Sequence, residues 1–449
     1  MPKIVPPVSS TPRYSITDEL GTSGLKHSYG ILDEEYLREL KGPRGMKVLR
    51  EMTTGDVIFG AILYGLDALI RGVRWRVVPD EAAVSLKEAE ARAQFVRECL
   101  FEDLSQAWAD VVSEGFSFVT YGWAWAELVF KIRGGDVDDP TRRSKFSDGK
   151  IGFRKWLFLG QETLERWAFD PAGGIQAIVQ RDPNVMSLVH TVPIAKSLLF
   201  RTRIERNSPE GRPIFRCAYS AYYFKKRIAA YEAIGIERDL AGYPVAHLID
   251  DAAKGIKAPD IWNTNDASAV ATRTAIEKFI KSVRRDEQEG AILPPWLDFK
   301  LLSTGSRRAF DTSAVIVRYE QRQAMAALWD IMLLGHDQVG TQALAATKLE
   351  LMSRAIDGLI DIFESVINRF AIPLLCQLNS LSVDHPPRLR HESVMKRDLA
   401  ALGSFITQLA AVGAPIDERA IVNELLDAAD LPALTEPEMA GEDADAAEE

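Results

Sequence analysis

Residues 123–132 read WAWAELVFKI. Ala124, Ala126, Leu128, Phe130 and Ile132 fall on one side of an extended chain, and Trp123, Trp125, Glu127, Val129 and Lys131 on the other. That period of two makes the stretch a strand. The residues before it are helical. Between Gly55 and Gly72, Ile58, Ile62, Leu66 and Leu69 keep the spacing of one apolar helix face, and the second glycine closes it. VRWRVV (73–78) is a short strand, and helices are expected over 85–100 and 104–113. After the strand comes a polar loop, 134–149, that reads as a hairpin tip. Short strands follow at 153–159, 163–169, 175–180 and 197–202, with Asp170-Pro171 and Gly173-Gly174 as turns. Residues 1–44, rich in Ser, Thr, Pro and Gly, read as an irregular arm. The first 205 residues or so are therefore a mixed α+β domain.

The middle of the chain changes character. A long helix starts at Ile214 behind Pro213 and runs to Arg238, with Phe215, Tyr219, Tyr222 and Tyr223 as an aromatic stripe. Residues 241–267, punctuated by Gly242, Pro244, Gly255 and Pro259, form a compact insertion. A second helix spans 268–288, ended by Gly290 and Pro294-Pro295, and a strand is expected at 298–302. The last third is helical. One long helix is expected over 310–334, stopped by Gly335, and then an exposed loop at 335–341. In the next helix Met352, Ile356, Leu359, Ile360, Phe363, Val366, Ile367 and Phe370 hold one face, with Pro373 behind them. Shorter helices are expected at 393–412 and 417–428. The final fourteen residues carry seven acids and no base, and read as disordered.

Composition narrows the function. The chain has 449 residues, 47% hydrophobic and 26% charged, enough for two or three domains. No window approaches the ~18–20 apolar residues of a membrane span; the best candidate, 57–70, is short and contains Asp67. The N-terminus has no apolar signal region, so a cytoplasm is the expected compartment and no membrane partner is expected. Three distant cysteines, Cys99, Cys217 and Cys376, argue against a disulfide framework or a zinc site. The net charge of −10 is unlike that of a simple nucleic-acid binder. A channel that lets DNA slide is a different case, because basic grooves grip through counterion release and a channel must not grip.

Catalytic signatures are missing. The sequence has no phosphate loop, no dinucleotide fingerprint, no H-E-x-x-H and no nucleophile elbow. His385 and His391 are the closest histidines, and Pro386-Pro387 between them keeps them off one helix face; no metal or cofactor is expected. Asp138-Asp139 and Asp250-Asp251 read as solvated turns rather than acid pairs. Trp123 and Trp125 read as core or interface rather than a stacking platform. The second middle helix says more. Lys278, Lys281, Arg284 and Arg285 lie within about 140° of Arg273 at 100° per residue. Ile276, Phe279, Ile280 and Val283 fall on the other side of Arg273. The plain reading is an amphipathic helix with solvated cations, and Glu277 dilutes the basic arc. The functional reading is a basic side facing a polyanion or an acidic neighbouring subunit.

Four stretches then make the arrangement recognisable: YGWAWAELVFK (121–131); RCAYSAYYFKK (216–226) with IERDLAGYPVAHL (236–248) after it; TRTAIEKFIKSVRRDEQEGAILP (272–294); and LLGHDQVGTQALAATKLELMSRAIDGLIDIFESVINRFAIPLL (333–375). In this order they resemble the bacteriophage portal protein family, in its Mu-like branch, over roughly residues 30–430.

The resemblance implies a ring, usually a dodecamer, at one capsid vertex, through which double-stranded DNA passes without sequence specificity. After an arm (1–29), residues 30–212 would be the α+β wing. Residues 213–238 and 268–289 would be two stem helices flanking a clip (239–267). Residues 290–334 would return a strand and a long helix to the wing, 335–341 would be the tunnel loop, 342–430 wing and crown helices, and 431–449 an acidic tail. The implied partners are the terminase large subunit, head-tail connector proteins, and capsid and scaffold proteins; the protein would be assembled in the bacterial host cytoplasm and reside in the virion. Lys278, Lys281, Arg284, Arg285, His336, Asp337 and Gln338 are the candidate DNA-channel residues. Phe215, Tyr219, Tyr222, Tyr223, Ile276, Phe279, Ile280 and Val283 are the candidates for packing between subunits. The alternatives are a minor capsid or connector component, and an enzyme with a site built from scattered carboxylates.

Overall fold

A computed structural model describes residues 21–80, 85–185, 187–241, 243–282, 292–302, 311–329, 342–394 and 404. In chain order it opens with a small hairpin, β1 (His27–Ser28) and β2 (Ile31–Leu32), then helices α1 (Gly42–Gly55) and α2 (Val57–Arg71) and strand β3 (Trp75–Val78). Helices α3 (Leu86–Arg97), α4 (Trp108–Gly115) and α5 (Ser117–Tyr121) lead into β4 (Trp123–Ile132). Strands β5 (Ile151–Leu159), β6 (Leu164–Phe169), β7 (Ile175–Arg181), β8 (Val189–Pro193) and β9 (Ser197–Arg201) follow. Then come α6 (Tyr219–Ala241), β10 (Tyr243–Leu248), α7 (Ala267–Ser282), β11 (Leu297–Leu302) and α8 (Thr312–Ala326). Helices α9 (Gln342–Val366) and α10 (Ile372–Leu378) and strand β12 (Arg388–His391) complete the set. The chain divides into two compact units, Met1–Met46 with Tyr64–Pro213 and Val339–Glu449, and Lys47–Leu63 with Ile214–Gln338.

The first unit is built around β4, whose bounds are those expected from its period of two. Gly122 starts it: at φ +88 it ends α5 in the left-handed region, and a Cβ there would lie 2.4 Å from the Gly211 carbonyl oxygen. The strand sits between β5 and β9 in one antiparallel sheet, and β6, β7 and β8 form a second. Trp123 and Trp125 join Leu159, Leu199, Trp167, Ile178 and Val192 in a core that both sheets supply. The opposite face carries Ala124, Ala126 and Leu128, all fully buried. On that side Phe200 of β9 stacks on Phe363 of α9, ring centroids 4.7 Å apart. A strand covered on both faces explains why its alternation is apolar against apolar rather than apolar against polar.

Several expected boundaries move for identifiable reasons. The arm expected over 1–44 gives way at Gly42 to α1, which has a proline in its first turn and buries Met46, Leu49 and Met52. In α2 the buried residues are Phe59, Ile62, Leu66 and Ile70, so the stripe runs one residue away from Ile58 and Leu69. The helix expected at 104–113 begins at Trp108, because the preceding residues serve β5: Ser105 donates from backbone and side chain to the Arg154 carbonyl, and Gln106 accepts from the Trp156 amide at 2.9 Å. Strand β8 was not expected. Helix α8 ends at Ala326 rather than 334. Leu328 takes φ +61, the Trp329 amide bonds back to the Ala324 carbonyl at 3.0 Å, and Trp329 is buried: a left-handed C-terminal cap. Pro373 does not terminate its helix either. A π-helical turn, Ile367–Ala371, precedes it, and the proline falls in the first turn of α10. The extra residue in that turn rotates the stripe, so Ala371, Ile372, Leu375 and Cys376 are buried while Phe370 is 52% exposed.

In the second unit, the strand expected at 298–302 is present as β11. It pairs antiparallel with β10, Tyr243 opposite Leu302 through Leu248 opposite Leu297, and not with the sheets of the first unit. Pro244 hides β10 in the sequence. In a two-stranded sheet its missing N–H can sit on the open edge. The expected helices at 393–412 and 417–428 and the acidic tail lie outside the described residues.

Candidate functional site

Three segments of the second unit meet around α6. Phe215, just before that helix, is fully buried and lies 4.8 Å from Phe59 between ring centroids; Tyr222 lies 6.3 Å from Phe59 and is also buried. The Tyr222 hydroxyl donates to Glu51 at 3.1 Å. Lys226 also donates to Glu51 and holds its carboxyl below the ordinary range. One residue earlier in α6, Lys225 Nζ reaches Asp56 at 2.6 Å and Gln323 Oε1 at 2.9 Å, and Gln323 Nε2 reaches Asp56 at 3.3 Å. Asp56 and Gln323 are buried. This closed triangle pins α6 to α8 and to the start of α2, where Asp56 also accepts from the Ile58 amide at 3.0 Å. Sequence reasoning missed it because its members are 169 and 98 residues apart in the chain (225 − 56 and 323 − 225).

The aromatic stripe therefore splits. Phe215 and Tyr222 pack against Phe59 within the subunit, Phe215 fully buried and Tyr222 at 7% exposure. Tyr219 and Tyr223 stay nearer the surface, 6.1 Å apart, with the Arg227 guanidinium 4.9 Å from the Tyr223 ring. Phe224, Tyr231, Ile234 and Ile236 are further exposed apolar side chains along the helix, Tyr231 at 67% exposure.

On α7, Lys278 and Lys281 are exposed. Arg273 is engaged twice, with Glu277 at 3.0 Å and with the Trp262 ring at 4.9 Å. Trp262 itself, in the insertion, is 68% exposed. Ile276, Phe279 and Ile280 are half-buried, and Phe279 meets Phe299 of β11 at 5.2 Å. The apolar side of this helix thus covers its own hairpin. Val283, Arg284, Arg285, His336, Asp337 and Gln338 lie outside the described residues. A lone tryptophan in a polar insertion was the available signal for Trp262.

The residues considered for chemistry have structural work. Trp123 and Trp125 are fully buried against Trp167, so they offer no stacking platform. Asp139 caps Thr141, whose hydroxyl and amide keep its carboxyl low. Asp250 accepts from the Ala258 amide, and Asp251 from the Ala253 and Lys254 amides. Asp139 and Asp251 are Asx-type caps, and Asp250 ties the two ends of its loop across eight residues. His385 goes to Asp80 at 3.2 Å and His391 to Glu364 at 2.6 Å, so the two histidines serve different partners. Among the described residues no single helix is long and apolar enough to cross a membrane.

The model of one protein family, described as the portal protein of Mu bacteriophage, matches residues 46–425. No curated protein matches the chain in sequence. Among solved structures, a chain from the neck of an empty gene transfer agent (GTA) particle, computed with C6 symmetry, is similar at 11% identity and TM-score 0.51 over 89% of this chain and 95% of its own. A chain from the neck of a native GTA particle, computed with C12 symmetry, is similar at 12% identity and TM-score 0.51 over 88% and 95%. An HK97 family phage portal protein from Corynebacterium diphtheriae is similar at 10% identity and TM-score 0.39 over 76% and 94%. The likeness to the two neck chains is one of fold.

Proposed function

This chain belongs to the portal protein family of Mu bacteriophage, and from that premise we propose that it is a ring subunit through which DNA enters and leaves a capsid. The family match across 46–425 carries the reading. The fold shared with neck chains of particles computed with C6 and C12 symmetry supports a dodecameric ring in a virion. The exposed apolar side chains of α6 support it too, since Phe224, Tyr231 and Ile234, left uncovered on an isolated subunit, suit a second copy.

In this reading α6 and α7 are the stem, and the insertion with β10 is the clip that receives the terminase and later the connector. Trp262 is the kind of exposed aromatic that anchors such a contact. The loop at 335–341 narrows the channel. Exposed Lys278 and Lys281, repeated around a ring, become belts of charge with a strong local field. The acidity of the rest keeps DNA sliding rather than bound. The ring needs no catalysis of its own in this scheme, because the packaging motor is a separate protein.

A packaging assay tests the finer reading. Deleting residues 335–341 should leave rings intact and impair DNA packaging or retention; unimpaired packaging refutes the tunnel-loop assignment. Lys278→Glu with Lys281→Glu should alter the salt dependence of packaging. An unchanged salt dependence returns those lysines to an ordinary solvated face.

A further inference from the structure

We propose that Asp361 and His391, with Glu364 behind them, form a binding site for a first-row divalent cation of the zinc class. One ligand atom from each of the three lies within 4.8 Å of those of the other two. Asp361 and Glu364 stand one turn apart on α9. His391 comes from β12, which is fixed from two directions: it pairs with β3, His391 opposite Trp75, and the Asn368 side chain brackets Leu389, accepting from its amide at 2.7 Å and donating to its carbonyl at 2.9 Å. The imidazole is thus delivered to α9 by backbone, not by a mobile loop.

Glu364 sets the orientation of the ring. Its Oε2 takes His391 Nδ1 at 2.6 Å and the His391 amide at 3.1 Å, while its Oε1 takes Arg390 at 3.2 Å. A carboxylate on Nδ1 selects the tautomer that leaves a lone pair on Nε2, and it raises the ring's basicity as a ligand. The His391 side chain is only 9% exposed, yet among the described residues no hydrogen bond reaches Nε2. That nitrogen points at Asp361, whose Oδ1 stands 3.9 Å away, outside hydrogen-bond range. A cation held at about 2.0–2.1 Å from nitrogen and oxygen needs its two ligands roughly 3–3.5 Å apart. Asp361 is 70% exposed, so its side chain can swing inward by that difference. One turn earlier, Asp357 holds Ser393 Oγ at 2.6 Å and the Val394 amide at 2.9 Å, and adds negative charge facing the ring. Imidazole with carboxylate favours zinc-like ions over magnesium or calcium, which prefer oxygen alone. Water fills the remaining positions, and the ion joins α9 to β12 just before the chain enters residues 395–449.

The test uses the full, untagged chain, stripped with chelator and titrated with Zn²⁺ by calorimetry at neutral pH. One saturable site per chain is expected, along with a Co²⁺ adduct whose visible bands report a nitrogen ligand. His391→Gln should abolish both. Asp361→Asn, at an exposed helix position that leaves the fold alone, should weaken binding. Glu364→Gln should lower affinity about 10–100-fold. His190→Gln, which alters the exposed His190–Asp182 pair elsewhere in the same unit, should change nothing. Absence of a saturable site, or saturable binding that survives both His391→Gln and Asp361→Asn, overturns the proposal and leaves His391 as an ordinary ion pair with Glu364.

Discussion

Lys131 and Asp103 form an ion pair at 3.0 Å with both side chains almost entirely enclosed. Asp103 also accepts from Ser144 Oγ at 2.8 Å and the Lys145 amide at 2.9 Å, and Lys131 donates to the Arg143 carbonyl at 2.8 Å. The pair thus clamps the polar loop after β4 onto the residues that follow α3. Removing one partner strands the other without water. Lys131→Met should cost about 3–5 kcal/mol in urea unfolding, whereas the same change at an exposed cation such as Lys87 should cost under about 0.5 kcal/mol. Glu210 adds a pH signature. Burial around its hydrogen bond to Trp167 raises its carboxyl above the ordinary value of 4.5. A raised carboxyl favours the fold while protonated, so its contribution is complete at acid pH and is lost as pH rises through the raised value. Glu210→Gln should therefore raise the melting temperature at about pH 7 and leave it unchanged at about pH 4. An equal shift at both would disprove this titration. Little of this could be seen in the sequence. Lys131 was legible as a strand residue, but its partner lies 28 positions earlier in another element, and no local pattern connects the two.

Elements were more legible than residues where one period ran without interruption. Strand β4 and the core of α9 are such cases, since burial on a fixed face imposes the period directly. They were less legible where backbone geometry changes inside an element. The π-turn at Ile367–Ala371 inserts one residue, which no hydrophobic count at 3.6 per turn can register. It makes a sharp prediction. Phe370→Ser, although it removes a large apolar group in the expected stripe, should cost under about 1 kcal/mol. Ile372→Ala, two residues on and fully buried, should cost about 2–5 kcal/mol. Chemical denaturation of the two variants decides it, and the reverse order would mean that α9 continues unbroken. The early end of α8 has the same origin: a left-handed leucine at 328 is a cap the sequence does not advertise, since glycine or asparagine usually fills that position.

At the scale of the whole molecule, α6 separates what the chain keeps for itself from what it offers. Its Lys225 and Tyr222 close on Asp56, Gln323 and Phe59, while Tyr231 and Ile234 face outward. If that outer face meets a second copy, Tyr231→Ser with Ile234→Ser should leave subunit stability within about 0.5 kcal/mol per site and still reduce assembly, read by native mass spectrometry. Loss of stability with assembly preserved would place those side chains in the subunit core instead. The helix-insertion-helix order was legible in the sequence, but the division of the aromatic stripe was not, because it depends on Phe59 arriving from far upstream. The central claim is that this chain is a subunit of a DNA-conducting ring, and single-particle imaging of the purified full-length protein tests it most directly. The expected result is class averages showing a closed ring, twelve-fold in its dominant form, with an open central hole. A uniform population of monomers or dimers across concentration and salt, with no ring in any class, would contradict it.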